Sequence, residues 1–329
     1  MKVLVTGGTG FTGSHLVRRL IGRGHTVRVL DNAPGLFHDE LKAAGAEIWL
    51  GSVTDKDLVR RAVEGSQVVH HLAAAFRKIN LPKSEYWRVN VEGTRAIAEA
   101  CLDFGVEKLV YCSTQGVHGD VKQIPGDENS PITPEDYYQT TKYEGERVVL
   151  DLVGKGLDAA VLRPTAIYGP GDPGRFLLIF REAAKGRFYM FGNGQAYYHP
   201  VYIDNLVDAF ELAAATPRAR GRTYLIADDR YVTIEELVRA VASTLGVGLR
   251  MIHLPFRPLW LAGLLCEGAC MPFGIEPPIF RRRVDWFRQN RGFRITRARE
   301  ELGYEPRVDL EAGLAATGRW YREHNYLDR

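Results

Sequence analysis

Two side chains with complementary proton chemistry stand four residues apart in the segment Tyr138-Gln139-Thr140-Thr141-Lys142. Four residues make about one helical turn, so the phenol and the amine share one face of the helix that this segment begins. A free tyrosine has a pKa of about 10, and a neighbouring ammonium group stabilises the phenolate and lowers that pKa. The pair is suited to removing a proton from an alcohol while a hydride leaves its carbon. The same spacing is also common on exposed helices without function.

Two hydroxyl groups follow an apolar segment, residues 108–112, that is typical of a strand. Ser113 and Thr114 stand where this strand runs into a turn bounded by Gly116 and Gly119. At the carboxyl end of a strand, a hydroxyl can hold the reacting oxygen of a substrate. The alternative is that both hydroxyls only satisfy the backbone of the turn, which fits Ser113 better than Thr114.

The start of the chain predicts a dinucleotide-binding turn. Residues 3–13 pass from an apolar strand through Gly7, Gly10 and Gly13 into an amphipathic helix. In such a turn the first glycine permits the sharp bend, the middle one lets the backbone approach a pyrophosphate, and the last lets helix and strand pack closely. The phosphates then meet free N–H groups at the positive end of the helix.

An acidic residue at the end of the second predicted strand indicates which dinucleotide binds. Asp31 directly follows residues 27–30, about 20 positions beyond the glycines, where a carboxylate binds the adenosine ribose hydroxyls. Its charge would repel the extra phosphate of NADP, so we predict that the cofactor is NAD. The alternative is that Asp31 only caps a loop.

The rest of the chain must build a scaffold that brings these groups together. Strand and helix patterns alternate through the first half, which predicts an α/β fold with a Rossmann-type doubly wound parallel sheet. We expect residues 1–170 to form the NAD-binding domain. Residues 171–329 would form mainly a smaller, irregular α/β substrate domain, with segments around 200–230 returning to the sheet. In that half, Thr233 and Glu236 suit a capping box, and Thr296 and Asp309 are candidate helix caps.

Composition excludes several classes of function. The chain has 45% hydrophobic and 25% charged residues and a formal net charge of +3, which is typical of a soluble globular protein without a nucleic-acid partner. Four cysteines and nine histidines show no spacing typical of a metal site, so we assign no metal. The first predicted strand starts directly after Met1, so we expect no signal peptide and a cytoplasmic protein.

Two late segments remain open to more than one interpretation. The most apolar late stretch, residues 259–271, is too short to cross a bilayer. It suits a core helix, an apolar ligand or a membrane surface. Arginines between 281 and 299 suit either a solvated helix face or an anionic surface such as phospholipid. Peripheral membrane contact is therefore one of the possibilities.

Taken together, these motifs resemble the extended short-chain dehydrogenase/reductases, the NAD-dependent epimerase/dehydratase family. The resemblance covers nearly the whole chain and rests on motifs in the family's order: Thr6 to Gly13, His71 to Ala74, Val89 to Thr94, Ser113-Thr114 before Val117-His118-Gly119, Tyr138 with Lys142, and Arg163 to Pro170. It implies that Tyr138 is the acid/base, that Lys142 also binds the nicotinamide ribose and that Thr114 orients the substrate. It also implies a homodimer formed by the helices containing residues 96–101 and 143–150.

The resemblance further assigns binding residues. Those expected at the cofactor are Gly7, Gly10, Phe11, Thr12, Gly13, Asp31, Asn32, Ser52, Val53, Leu72, Ala73, Ala74, Asn90, Cys112, Tyr138, Lys142, Pro164 and Ile167. Those expected at the substrate are Phe76, Thr114, Gln115, Thr165 and Tyr198.

Departures from the family pattern bear on the substrate. Ser52 replaces an aspartate that usually contacts adenine, and His118 replaces a tyrosine. Nucleotide-sugar members usually carry an asparagine where this chain has Ala166. They usually carry an arginine, which binds the diphosphate, where this chain has Tyr198. The substrate half instead resembles the 3β-hydroxysteroid dehydrogenase-like branch.

Three functions are therefore compared. The first is an NAD-dependent oxidoreductase that acts on a secondary alcohol or ketone of a bulky, apolar, sterol-like molecule. The second is a nucleotide-sugar epimerase or dehydratase with tightly held NAD. The third is a non-catalytic dinucleotide-sensing protein, which the complete catalytic set disfavours.

Overall fold

The computed structural model describes residues 1–76, 81–270, 275, 277–278 and 281–327. Its strands are β1 Lys2–Thr6, β2 Thr26–Asp31, β3 Glu47–Leu50, β4 Val68–His71, β5 Lys108–Cys112, β6 Ala159–Pro164, β7 Ala166–Tyr168, β8 Arg187–Phe191, β9 Tyr197–Tyr198, β10 Pro200–Tyr202, β11 Thr223–Ile226, β12 Val232–Thr233 and β13 Arg250–Leu254. Its α-helices are α1 Phe11–Gly22, α2 His38–Ala43, α3 Lys56–Val63, α4 Lys83–Trp87, α5 Thr94–Asp103, α6 Tyr137–Val153, α7 Arg175–Ala184, α8 Ile203–Ala215, α9 Ile234–Leu245, α10 Phe256–Cys270, α11 Arg281–Asp285, α12 Thr296–Leu302 and α13 Leu310–Glu323.

Seven of these strands form one parallel sheet in the order β11-β6-β5-β4-β1-β2-β3. Strand residues alternate between the two faces, as shown by β1, where Val3 and Val5 pack on one side and Leu4 on the other. Helices α1 and α8 cover the first face, and α3, α5 and α6 cover the second. The predicted doubly wound α/β sheet is confirmed. Strand order reverses between β1 and β4, where ligands bind such sheets.

The second half of the chain contributes a strand to the sheet and also forms a separate strand pair. Strand β11 pairs with β6 at the sheet edge, whereas β8 and β13 form a separate parallel pair. Helix α7 packs beside β8, α9 packs on α7, and α13 packs on α9. The capping box on α9 is present, because Thr233 accepts from the backbone N–H of Glu236 while the Glu236 carboxylate accepts from that of Thr233.

Two other helix starts test the expected caps. Asp309 caps α13 by accepting from the backbone N–H of Ala312 at 2.8 Å. The expectation for Thr296 was wrong: α12 already includes Thr296, and Ile295 occupies the cap position without a side-chain hydrogen bond. No helix among the described residues is long and apolar enough to cross a bilayer.

Candidate active site

The turn between β1 and α1 requires glycine at two positions, Gly7 and Gly13. Gly7 has a φ of +70°, and a Cβ atom on it would lie 2.8 Å from the backbone nitrogen of Ala73. A Cβ on Gly13 would lie 2.1 Å from the carbonyl oxygen of Gly7. The helix therefore starts directly against the strand, with Gly10 at its N-cap position and no side chain over the first N–H groups. This backbone suits a pyrophosphate.

Asp31 stands at the carboxyl end of β2 and is held by the glycine turn itself. Its Oδ2 accepts from the backbone N–H of Thr9 at 2.9 Å and from the Thr9 hydroxyl at 2.7 Å. Its Oδ1 accepts from the backbone N–H of Asn32 at 2.8 Å. Because the carboxylate is only partly buried, it retains acceptor capacity for ribose hydroxyls. After β3, the strand beside β2 in the sheet, the hydroxyl of Ser52 lies 2.8 Å from that of Thr54.

A buried hydrogen-bonded chain supports the segment that follows β4. The Ala73 N–H donates to the Thr6 hydroxyl at 3.2 Å, and that hydroxyl lies 2.6 Å from Nδ1 of His71. On the other side of the ring, Nε2 lies 3.0 Å from the hydroxyl of Thr94, which donates its own proton to the carbonyl of Asn90. Nε2–H must therefore be the donor to Thr94, and Nδ1 accepts from Thr6. Burial lowers the pKa of His71 to about 3, so the ring stays neutral.

Asn90 connects this segment with α6. It lies in a single π-helical turn, Arg88–Gly93, that precedes α5, a distortion that is frequent at functional sites. Its Oδ1 accepts from the N–H of Ala75 at 2.7 Å. Its Nδ2 donates to the carbonyl of Ala75 at 3.1 Å and to the hydroxyl of Thr141 at 3.0 Å. One buried amide thus fixes the loop after β4 against α6.

Tyr138 and Lys142 both lie in the first turns of α6, which Asp136 caps through the N–H of Gln139 at 2.8 Å. The two side chains are buried, with Lys142 only 1% exposed. The Lys142 Nζ lies 4.2 Å from the centre of the Tyr111 ring and has no hydrogen-bond partner among the described residues. Burial lowers the pKa of this amine to about 8, although Cys112 and Glu146 oppose the shift. A buried ammonium without a partner fits a site that a polar ligand completes.

The two hydroxyls after β5 have different surroundings. Ser113 donates to the carboxylate of Glu146, so its proton is already committed within the core. The Thr114 oxygen accepts from the N–H of Gly116 at 3.0 Å, which leaves its hydroxyl proton available to a substrate oxygen. The environment therefore favours Thr114 over Ser113.

Glu146, which lies on α6, also belongs to a buried ion pair with Arg163. The Nε and Nη2 atoms of Arg163 donate to its carboxylate at 3.0 and 2.6 Å. Nη1 of the same guanidinium lies 3.0 Å from Nε2 of His118. Since arginine can only donate, Nε2 is the acceptor and Nδ1–H donates to the carbonyl of Ser130 at 3.0 Å. Burial, followed by the Arg163 charge, lowers the pKa of His118 to about 4.

The residues expected at the substrate lie in different environments. Phe76 is 56% exposed, and its ring centre is 5.1 Å from that of Tyr138. Buried polar atoms of Gln115 (Oε1) and Thr165 (Oγ1) have no partner within the described part of the chain. Tyr198 is only 5% exposed and packs 5.8 Å from the Trp286 ring, which leaves it little surface for a ligand.

The remaining residues expected at the cofactor lie near strand ends, in the turns beside them or at the start of α1. Leu72 and Ala74 flank Ala73, Val53 packs against Gly93, Cys112 ends β5, Pro164 ends β6, Ile167 lies in β7, and Phe11 and Thr12 open α1. The glycine cradle, Asp31 and the unpartnered Lys142 amine together fit NAD. Sequence reasoning assigned no supporting role to the side chains of Thr6, Thr9, Thr94, Thr141, Glu146 and Arg163, because their partners are distant along the chain and follow no periodic pattern.

Comparison with known proteins agrees with this geometry. Residues 3–227 match the model of the NAD dependent epimerase/dehydratase family. The chain is 33% identical to 3beta-hydroxysteroid-dehydrogenase/decarboxylase isoform 1 of Arabidopsis thaliana, over 95% of this chain and 78% of that protein. It is 32% identical to the sterol-4-alpha-carboxylate 3-dehydrogenase, decarboxylating, of Schizosaccharomyces pombe, over 97% of both chains.

The fold also matches solved structures. UDP-glucose 4-epimerase from Thermotoga maritima, in a structure with UDP-glucose, superposes with a TM-score of 0.79 at 26% identity, over 99% of this chain and 100% of that one. The chain therefore belongs to the NAD-dependent epimerase/dehydratase family, the extended short-chain dehydrogenase/reductases, and is an NAD-dependent oxidoreductase.

Proposed function

We propose that the protein oxidises a secondary alcohol, or reduces the corresponding ketone, on a bulky and largely apolar molecule of sterol-like size. The observation that carries this proposal is the identity of two residues in the substrate half. By the family resemblance, Ala166 and Tyr198 occupy positions where nucleotide-sugar members usually carry an asparagine and an arginine. These two positions therefore offer no bidentate partner of the kind that a diphosphate prefers. The dehydrogenases of steroids and sterol carboxylates named above support the same substrate class.

The proposed chemistry assigns one role to each catalytic residue. Bound NAD supplies the hydride acceptor, and NADH the donor. In oxidation, Tyr138 accepts the hydroxyl proton of the alcohol as its C–H bond breaks, and in reduction it returns that proton. Thr114 donates a hydrogen bond to the same oxygen. Lys142 holds its positive charge beside the phenolate and binds ribose hydroxyls with the N–H groups that lack a partner in the protein.

A nucleotide-sugar epimerase or dehydratase is the second candidate, favoured by the structural similarity to UDP-glucose 4-epimerase. Such an enzyme would use the same three catalytic residues transiently and keep its NADH. The two candidates differ in whether reduced cofactor leaves the protein. A non-catalytic dinucleotide-binding protein is the third candidate, and any turnover that depends on Tyr138 contradicts it.

We also propose how the chain is divided and assembled. Residues 1–170, joined by α8 and β11, form the NAD-binding domain, and most of the remainder binds substrate. Two copies pair through α5 and α6, which would give a particle of twice 36.9 kDa in light scattering. Four free cysteines suit a reducing cytoplasmic location.

The test is absorbance of free NADH after the purified protein meets NAD and a substrate panel. The panel contains sterols, sterol carboxylates, other apolar secondary alcohols and nucleotide sugars, with all products analysed. NADH that accumulates with an apolar alcohol supports the proposal. Conversion of a nucleotide sugar without net NADH contradicts it. Tyr138→Phe should abolish turnover, whereas Tyr137→Phe, one residue earlier on α6, should retain it.

A further inference from the structure

The Thr114 hydroxyl lies on a turn whose end is fixed by a histidine. Residues 114–118, the Thr114 turn, form a single 3₁₀ turn that Thr114 caps. Nε2 of His118, the last residue of this turn, accepts from Nη1 of Arg163 at 3.0 Å. On the other side of the ring, Nδ1–H donates to the carbonyl of Ser130 at 3.0 Å. The two ring nitrogens therefore connect the end of the turn to two different parts of the protein.

The start of the Thr114 turn is fixed through the same charged group. Ser113 donates to the carboxylate of Glu146, and that carboxylate pairs with the Arg163 guanidinium at 2.6 Å. The two charged side chains are only 1% and 6% exposed, so water does not compete for these hydrogen bonds. Hydrogen bonds to charged groups are stronger than those between neutral groups. One buried ion pair therefore holds both ends of the turn.

The ion pair belongs to elements that carry the rest of the candidate site. Tyr138, Lys142 and Glu146 follow one another at four-residue intervals on the buried face of α6. Arg163 lies in β6, the neighbour of β5 in the sheet, and the Thr114 turn begins two residues after β5 ends. The anchor of the turn is thus built on the helix that bears the phenol and the amine.

An imidazole is suited to this contact. Burial, followed by the Arg163 charge, lowers the pKa of His118 to about 4. The ring therefore stays neutral at neutral pH, and Nε2 keeps the lone pair that accepts from the guanidinium. By the family resemblance, a tyrosine is usual at this position. Its oxygen would stand farther from the backbone than Nε2 does, so it could not accept at the same place.

We propose that His118 is a positioning residue, which fixes the Thr114 hydroxyl relative to the Tyr138 phenol by anchoring the end of the Thr114 turn to the ion pair. A reacting group that is misplaced by about 1 Å can slow a reaction greatly, and a turn anchored only at its start is free to tilt. The inference rests on the proposed roles of Thr114 and Tyr138. It does not depend on the substrate, since both enzymatic candidates use the same two groups.

Two variants that keep opposite contacts test the proposal. His118→Gln keeps an oxygen near the place of Nε2 that can accept from Arg163. His118→Asn keeps an amide near the place of Nδ1 that can donate to Ser130, but it does not reach Arg163. With the panel substrate that is turned over, His118→Asn should lower kcat about tenfold or more, and His118→Gln should stay within about threefold of the unchanged protein. His324→Asn, at an exposed histidine directly after α13, is the matched control and should keep its kcat.

A double-mutant cycle separates positioning from general stabilisation of the fold. Thr114→Val removes the hydroxyl and should lower kcat about a hundredfold or more. In that background His118→Asn should lower kcat no further, because no hydroxyl is left to position. A residue that only stabilises the fold would lower kcat by the same factor in both backgrounds. NAD affinity, measured by fluorescence titration, should change less than about twofold in each His118 variant.

Three outcomes would overturn the proposal. They are full kcat in His118→Asn, an equal loss of kcat in both His118 variants, and an equal effect of His118→Asn with and without the Thr114 hydroxyl. Failure of the proposed function gives a different result. Conversion of a nucleotide sugar alone would refute the proposed substrate, yet the comparison of kcat values would still decide the role of His118. Full kcat in Thr114→Val would refute the role of that hydroxyl, and this inference with it.

Discussion

Replacement of Lys142 by methionine should stabilise the folded protein without NAD and abolish turnover. The buried amine has no hydrogen-bond partner within the described residues, and its pKa falls from 10.5 to about 8. Each pKa unit corresponds to about 1.4 kcal/mol, so the charged amine destabilises the fold by about 3 kcal/mol. Methionine fills a similar volume over the Tyr111 ring and carries no charge.

The sign of the pH dependence follows from the same shift. Because the folded pKa lies below the unfolded one, the unfolded chain binds more protons between pH 8 and 10.5. The charged amine destabilises the folded protein to the full extent below pH 8. This destabilisation decreases as the pH rises and disappears near pH 10.5. The stability difference between Lys142→Met and the unchanged protein should therefore be largest at neutral pH and approach zero in strong base.

Urea denaturation followed by tryptophan fluorescence measures this difference at each pH. Lys155→Met, at an exposed lysine just beyond α6, is the matched control and should alter the free energy of unfolding by less than about 0.5 kcal/mol. A Lys142→Met protein that is less stable than the unchanged one at neutral pH would refute the reasoning. A stability difference that does not vary with pH would refute it as well.

Three further substitutions test other parts of the site. Thr9→Val removes one hydrogen bond to the Asp31 carboxylate, so the KM for NAD should rise about tenfold with little change in kcat. The preference of the enzyme for NAD over NADP should also fall, and steady-state kinetics with both cofactors measures both effects. Gly13→Ala should abolish NAD binding in a fluorescence titration because the turn cannot close, whereas Gly22→Ala, with open space around its Cβ, should bind normally. Glu146→Gln breaks a buried ion pair and should lower the free energy of unfolding by about 3–5 kcal/mol in urea.

The sequence predicted much of the scaffold because local signals determine it. The predicted strand 108–112 coincides with β5, and the helix predicted to begin with the segment from Tyr138 to Lys142 is α6. Their bounds are set by hydrophobic pattern and by residues such as Asp136, whose carboxylate caps α6. The error at Thr296 has a physical reason. Residue type identifies a possible cap, but the backbone angles decide whether the residue stands before the helix or within it.

The candidate site was predictable in its chemistry but not in its support. The spacing of Tyr138 and Lys142 was enough to place both on one face of α6. By contrast, the hydrogen bond between Thr6 and His71 joins residues 65 positions apart. Each residue begins a motif of the family, but neither motif shows that the two side chains are partners. The unpaired state of the Lys142 amine depends on packing from several elements, which no single stretch of sequence specifies.

The similarities of this chain to sterol dehydrogenases and to UDP-glucose 4-epimerase carry different information about its substrate. The match to UDP-glucose 4-epimerase extends over the whole fold. In the proposed function, the glycine turn, the buried polar chain and the α6 pair would serve any reaction that passes a hydride to or from NAD. Those parts are indifferent to the rest of the substrate. Discrimination must come from groups beyond them, where Ala166 and Tyr198 offer no diphosphate partner. The substrate half therefore decides between the candidates, and the apolar alcohol is the one that its residues favour.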